Sequence, residues 1–249
     1  MRTTGNTILI TGGTSGIGLG LALRFRRAGN EVIVAGRRED LLDRIATDHP
    51  GIGTIVLDVT DPTSIARARE TVASDHPEVN VLVNNAGIML PENLLDADAD
   101  SLRVAEDTVT TNLLGPIRMV NALLPHLRAK DDAVVINVSS GLAFVPLPVT
   151  PTYNATKAAV HSFSESLRVQ LAGTSVKVVE LVPPAVRTTL MGQQDSERAM
   201  PLEDFLSEAM TLLRDQPDAT EILVENVKFL RHAETNGTYE KVLAMLGGH

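Results

Sequence analysis

The sequence predicts an α/β fold: a single Rossmann-type, doubly wound parallel β-sheet with helices on both faces. Three observations carry this. Short β-branched runs alternate with longer amphipathic stretches along the 249 residues. Most of the runs are almost wholly apolar, as strands buried on both faces must be. No linker interrupts the alternation, so one dinucleotide-binding and catalytic domain over 1–249 is expected.

In chain order, Thr7–Thr11 is the first strand and a glycine-rich turn stops it; residues 17–28 follow as a helix. Glu31–Ala35 is the second strand, with a helix over 39–47, and Thr54–Asp58 the third. Asp61-Pro62 is a helix start signal, an Asp cap followed by Pro at the first helical position, and opens a helix over 62–74. Val79–Val83 is the fourth strand, followed by a long helical pattern over 99–129. Ala133–Ser139 and Val176–Val182 are strands five and six, with a helix over 153–172 between them. Pro201–Arg214 reads as helical, within a substrate flap expected around 189–214. Glu221–Val224 reads equally as a last strand or as part of a helix.

Composition narrows the function. A formal net charge of −9 argues against a general affinity for nucleic acid phosphates. The absence of cysteine excludes disulfides, thiolate metal sites and a cysteine nucleophile. No apolar run reaches the roughly 18 residues of a membrane span. The short run Ile8–Ile10 is too brief for a signal peptide core, so a soluble, cytoplasmic protein is expected. No histidine shows metal-ligand clustering, no metal is expected, and His126 and His161 read as interface or surface residues.

The turn after the first strand is Thr11-Gly12-Gly13-Thr14-Ser15-Gly16-Ile17-Gly18. Glycine lets the backbone approach a ligand where a Cβ would clash. The following helix N-terminus offers free N–H groups and a positive dipole end, which suit a pyrophosphate. Spaced G-x-x-x-G-x-G and lacking the lysine of a triphosphate loop, the turn alone also fits a tight connection with no ligand.

A second constellation lies downstream. The fifth strand ends at Ser139-Ser140, and Tyr153 and Lys157 stand at i and i+4, on one helix face. A nearby ammonium favours phenolate and is expected to lower the tyrosine pKa, making a general acid–base near neutral pH. A serine hydroxyl at a strand end donates to a developing alkoxide. Val83-Asn84-Asn85-Ala86-Gly87 follows the fourth strand, where ligands of parallel sheets lie. Asn112 interrupts an apolar helix pattern, either as a functional amide or as a kinking or capping residue.

Taken together in order and spacing, Thr11-Gly-x-x-x-Gly16-Ile17-Gly18, Asn84-Asn-Ala-Gly87, Asn112, Ser140, Tyr153 and Lys157 resemble the short-chain dehydrogenase/reductase family over roughly residues 7–190. The tail, Val227–Arg231 and Leu246–His249, is similar to a subgroup often labelled DltE-like. The resemblance implies that Tyr153 is the general acid of reduction and base of oxidation, and that Ser140 holds the substrate oxygen. It also implies that Lys157 binds the nicotinamide ribose and that Asn112 anchors a proton-relay water. It assigns Gly12, Thr14, Ser15, Gly16, Ile17, Gly18, Asn85, Ala86 and Gly87 to the cofactor. Asp58 and Val59 resemble an adenine-contacting pair, though Asp58 equally fits a strand-end cap. In Val182-Pro183-Pro184-Ala185-Val186-Arg187-Thr188 the family's usual Pro-Gly is Pro-Pro. Pro183, Val186 and Thr188 still match cofactor positions, Thr188 at the nicotinamide amide, with a helix cap as its other reading. A homodimer or homotetramer is the family expectation.

The second strand runs into Gly36-Arg37-Arg38, where an NAD site places an acid. Arginine grips a 2′-phosphate with forked, charge-assisted hydrogen bonds. NADP(H) is therefore predicted over NAD(H), with Arg37 as main clamp and Arg38 as helper, although both arginines also fit solvated pairs with Glu39 or Asp40. Gly141–Leu147 is mostly apolar, which predicts an apolar or bulky small-molecule alcohol or carbonyl substrate, unless that run only packs the loop. A catalytically silent dinucleotide-binding sensor is the alternative, and it leaves the complete proton-transfer set unexplained.

Overall fold

The computed structural model describes residues 1–96 and 100–248. Seven strands form one parallel sheet in the order β3-β2-β1-β4-β5-β6-β7. They are β1 Thr7–Thr11, β2 Glu31–Gly36, β3 Ile52–Val56, β4 Val79–Asn84, β5 Ala133–Val138, β6 Val176–Val182 and β7 Glu221–Leu223. The order reverses between β1 and β4, which creates a crevice at their carboxyl ends.

Alternation along β1 shows how both faces are used. Ile8 and Ile10 pack with Leu21, Phe25, Phe205 and Leu206 of one helical layer. Leu9 turns the other way, into the layer that holds Ile65, Val72, Met119 and Leu123. The helices are α1 Gly16–Arg27, α2 Glu39–Asp48, α3 Pro62–Asp75, α4 Ser101–Val109, α5 Gly115–Arg128, α6 Pro151–Gln170, α7 Leu202–Asp215, α8 Lys228–Arg231 and α9 Tyr239–Gly247. The Asp61 side chain accepts from the Thr63 N–H at 2.8 Å, as the cap signal predicts.

Two elements depart from expectation, and a third settles between its two readings. Strand β3 begins two residues early, because Gly51 at φ 91° turns the chain into it and Ile52 pairs with Val32. The helix expected over 99–129 is three segments: α4, a π-helical turn at Thr110–Leu114, and α5. Its residue 99, like His249, lies outside the described residues. Glu221–Leu223 resolves as a strand, pairing Glu221 with Glu180 of β6. No described helix is long and apolar enough to cross a membrane.

Candidate active site

A cleft of about 1450 Å³ runs from the glycine turn along the carboxyl ends of the strands to the C-terminal tail. Gly12, Thr14, Ser15, Gly16 and Ile17 line one end of it, and Ser140, Tyr153 and Lys157 its floor. Arg37, Arg38, Asp58, Val59, Asn85, Ala86 and Gly87 border it, as do Pro183, Val186 and Thr188.

The glycine turn is shaped by close approach. A Cβ on Gly12, which sits at φ 64°, would lie 2.7 Å from the Ala86 Cα. A Cβ on Gly18 would lie 2.4 Å from the Gly12 carbonyl oxygen, so Gly18 lets α1 pack on the turn and does not itself line the cleft. Thr11 and Asn85 have a further role, fastening the turn to the loop after β4. The Thr11 Oγ1 accepts from the Asn85 and Ala86 N–H groups at 3.1 and 3.2 Å. The Asn85 Nδ2 donates to the Thr11 and Gly12 carbonyls, both at 3.1 Å. The threonine at a strand end and the paired asparagines were the available signal.

At the end of β2, Gly36 leaves room for Thr14, whose Cγ2 would lie 2.8 Å from an added Cβ. Arg38 donates to the Thr14 Oγ1 at 3.2 Å, and Arg37 lies 4.0 Å from Asp58. Neither arginine forms the expected alternative pair with Glu39 or Asp40; Asp40 bonds Arg44 instead. Asp58 itself acts as a strand-end cap, its Oδ1 accepting from the Thr60 N–H and hydroxyl at 2.8 and 2.7 Å, while it also borders the cleft.

Tyr153 and Lys157 are both buried on α6, with the Lys157 Nζ 5.6 Å from the Tyr153 ring centre. The ammonium donates to the Val138 carbonyl at 2.8 Å. The expected lowering of the tyrosine pKa is not found. Burial pushes the phenol up to about 12, while a hydrogen bond with the Ser140 side chain works the other way. Burial also pulls Lys157 down to about 8, with Glu180 opposing. Burial outweighs the Ser140 hydrogen bond, so the phenol holds its proton at neutral pH. The Ser140 Oγ also accepts from the Leu142 N–H at 3.1 Å.

Asn112 stands in the π-helical turn, a feature that often marks functional sites. It does not line the cleft. Its Oδ1 accepts from the Ile88 N–H and its Nδ2 donates to the Ile88 carbonyl, both at 2.8 Å. The amide is thus committed to fixing the loop after β4. Thr188 lines the cleft, and its hydroxyl accepts from the Leu190 N–H at 3.3 Å, while the cap position of the short helix that follows falls to Thr189.

Of the segment expected as a flap, residues 189–191, 193, 196 and 198–200 border the cleft. Met191 there adopts φ 53° beside Gly192 at 66°, in the left-handed region that costs a non-glycine residue energy. Leu202–Asp215 instead sets one face into the core, where Phe205, Leu206 and Ala209 are fully buried. Sequence reasoning also missed the tail. Phe229, Leu230, Met245 and Leu246 close the far end of the cleft together with Leu142 and Leu147. Gly141 makes this possible, because a Cβ there would lie 2.6 Å from Leu230.

The histidine expectations need correction. His126 lies against the Val79 carbonyl at 2.9 Å, and His161 is no plain surface residue. With Glu180 and Glu221 it forms a cluster whose ligand-type atoms lie within 4.8 Å of one another. Strand pairing brings the two glutamates together, which spacing alone did not reveal.

Comparison with known proteins fits this geometry. The chain is 39% identical over 251 residues to "Uncharacterized oxidoreductase DltE" of Bacillus subtilis (strain 168), covering 99% of this chain and 98% of that one. It is 34% identical over 183 residues to "NADP-dependent 3-hydroxy acid dehydrogenase YdfG" of Salmonella typhi, covering 73% of each. A short chain dehydrogenase from Burkholderia cenocepacia J2315, solved with NADP, superposes with a TM-score of 0.82 at 23% identity over 99% of both chains. Residues 6–199 match the family described as short chain dehydrogenase, and the chain therefore belongs to the short-chain dehydrogenase/reductase oxidoreductases.

Proposed function

We propose that the protein transfers a hydride between NADP(H) and an apolar alcohol or carbonyl compound, with Tyr153 as proton donor and acceptor. The observation that carries this reading is the buried cluster of Tyr153, Ser140 and Lys157 on the floor of a cleft that begins at the glycine turn. The glycine turn supplies a cradle that fits a dinucleotide: side chains on Gly12 or Gly18 would fill it or unseat α1. Thr14, Ser15, Gly16 and Ile17 would hold the pyrophosphate, Asp58 and Val59 the adenine, and Lys157 the nicotinamide ribose, with Thr188 at the nicotinamide amide. Arg37 and Arg38, beside a glycine where an acid would repel phosphate, favour NADP(H). When bound, the nicotinamide supplies or accepts the hydride.

In carbonyl reduction Tyr153 presents a protonated phenol, kept so by burial. The Ser140 hydroxyl, beside that phenol, offers the substrate oxygen a second donor once its single proton turns from the phenol to the substrate. As the proton leaves Tyr153, the Lys157 ammonium beside the ring offsets the phenolate charge that forms. Oxidation runs the same transfers in reverse. Leu142, Leu147, Phe229 and Met245 make the substrate end apolar. Residues 189–200, with the strained Met191, act as the flap. The reading includes a cytoplasmic setting, which a cysteine-free chain suits, and a homodimer or homotetramer. A silent sensor is not favoured, because the relatives named are oxidoreductases.

The test is Tyr153→Phe assayed by absorbance of reduced cofactor over a panel of carbonyls and alcohols. Turnover is expected to fall about 10³-fold, with dinucleotide binding by fluorescence unchanged. Retained turnover would overturn the proton-transfer role, and a higher kcat/KM with NADH than NADPH in the native protein would overturn the cofactor choice.

A further inference from the structure

Tyr153, Lys157 and His161 recur every four residues along α6, so they share one face of it. That face lies over a polar row crossing the sheet. Asn84, Asn137, Glu180 and Glu221 are register partners on four adjacent strands. The row is tied to the helix at two points: the Asn137 Nδ2 donates to the Ser164 Oγ at 2.9 Å, and the His161 Nδ1 lies 2.7 Å from the Glu180 Oε2.

Glu180 is the unusual member. It is 0% exposed, and its Oε1 has no hydrogen-bond partner among the described residues. A buried carboxylate is costly unless cations face it. The cluster has ligand-type atoms close enough for a metal ion, but Glu221 already receives two hydrogen bonds from Arg231, at 2.8 and 2.9 Å. That guanidinium already supplies the positive charge at Glu221, leaving Glu180 to His161, with Lys157 one helical turn along the same face.

We infer that Glu180 is a positioning residue for the Tyr153–Lys157 pair, its carboxylate anchored by His161 and serving as the buried counter-charge of the Lys157 ammonium. The inference rests on the proposed role of Tyr153 and Lys157. The groups facing Glu180 give the sign. From α6 come Lys157 and His161, with Glu165 3.8 Å beyond the imidazole and Arg168 bonded to the Val178 carbonyl of β6. From β7 comes Glu221 and from α8 Arg231, which neutralise each other. Among these, Glu180 is the group that opposes burial at Lys157, and its hydrogen bond also raises the affinity of His161 for a proton. Without it, burial alone acts on the ammonium, which then gives up its proton at lower pH.

The experiment is the pH profile of kcat/KM for carbonyl reduction with NADPH in native protein, Glu180→Gln and Glu180→Asp. Reduction needs the charged lysine, so activity falls as pH rises through its titration. In Glu180→Gln that falling limb should move down by about one pH unit, with dinucleotide affinity unchanged. Glu180→Asp, which keeps the charge, should hold the limb close to its native position. If the Gln variant does not fold, the Glu180→Leu/His161→Leu pair removes both partners without leaving an orphan, and should show the same downward move. A folded Gln or double variant whose limb stays in place overturns the inference, even if its rate is uniformly lower. Failure of the underlying reading looks different: Tyr153→Phe would then retain turnover. A silenced Tyr153→Phe beside an unmoved Glu180→Gln limb defeats the role of Glu180 alone.

Discussion

At the glycine-turn end of the cleft the wall is main chain. Gly12 and Gly18 bring backbone against backbone, and Thr11 and Asn85 bolt two adjacent loops together. At the opposite end the wall is side chain. Leu142, Met191, Phe229 and Met245 arrive from four separate segments and meet only in the folded chain. Backbone walls tolerate no added atom, because hydrogen-bonded main chain cannot step aside. Side-chain walls adjust by rotamer. The first end suits an invariant ligand; the second suits a substrate that differs from one family member to another.

The sharpest way to break this contrast is Gly18→Val. Its Cβ would sit 2.4 Å from the Gly12 carbonyl oxygen, with further methyl groups beyond. Folding stability should fall by about 3 kcal/mol, the upper range for overpacking, and NADPH binding should be lost. Denaturant unfolding and a fluorescence titration measure the two. Native-like binding in this variant would mean that the turn is as adaptable as the far end.

The seam between the two ends is where Tyr153 and Lys157 lie, and its dryness is measurable through pH. Lys157 holds its proton to about 8 in the fold against 10.5 when free. Between these values the unfolded chain binds more protons than the folded one, so stability rises with pH. From pH 8 to 10 the gain should be about 2 kcal/mol in the dinucleotide-free protein. Above pH 10 the sign reverses, because Tyr153, pushed up to about 12, keeps a proton that the unfolded chain releases. Unfolding midpoints across that range, compared with Lys157→Met, isolate the contribution. A flat profile would mean that water reaches the seam.

The same contrast explains what could be read from the amino acids. Backbone construction leaves a local mark: the glycine spacing, the Asn85-Ala86-Gly87 loop, and Tyr153 one helical turn from Lys157 are each contained in a few residues. Strand pattern likewise needs only neighbours, which is why β1 and β6 fall where expected. What depends on distant pairing left no such mark. Nothing near Phe229 or Met245 announces that α8 and α9 reach the cleft. Glu180 and Glu221 become neighbours only through β6–β7 register. The π-helical turn at Asn112 depends on the Ile88 backbone across the chain. The direction of the tyrosine shift is hidden for a related reason: sequence shows the cation one turn away, but not the burial that raises the phenol.

The smallest predicted effect sharpens the contrast at its weaker end. Phe229 is 47% exposed and lines the cleft from α8, so a bound apolar substrate would cover only part of its ring. Truncation in Phe229→Ala removes that contact while α8 stays seated by Leu230 against Gly141. Partial loss of an aromatic contact corresponds to about 1 kcal/mol, or about fivefold in KM for a bulky apolar carbonyl. A small carbonyl, too short to reach the ring, should show no change, and NADPH affinity should match the native value. Steady-state kinetics with a homologous series of aldehydes separates these outcomes. A fivefold change that is uniform along the series would place Phe229 in support of the Ser140 loop rather than in the substrate wall, and would extend main-chain rigidity across the whole cleft.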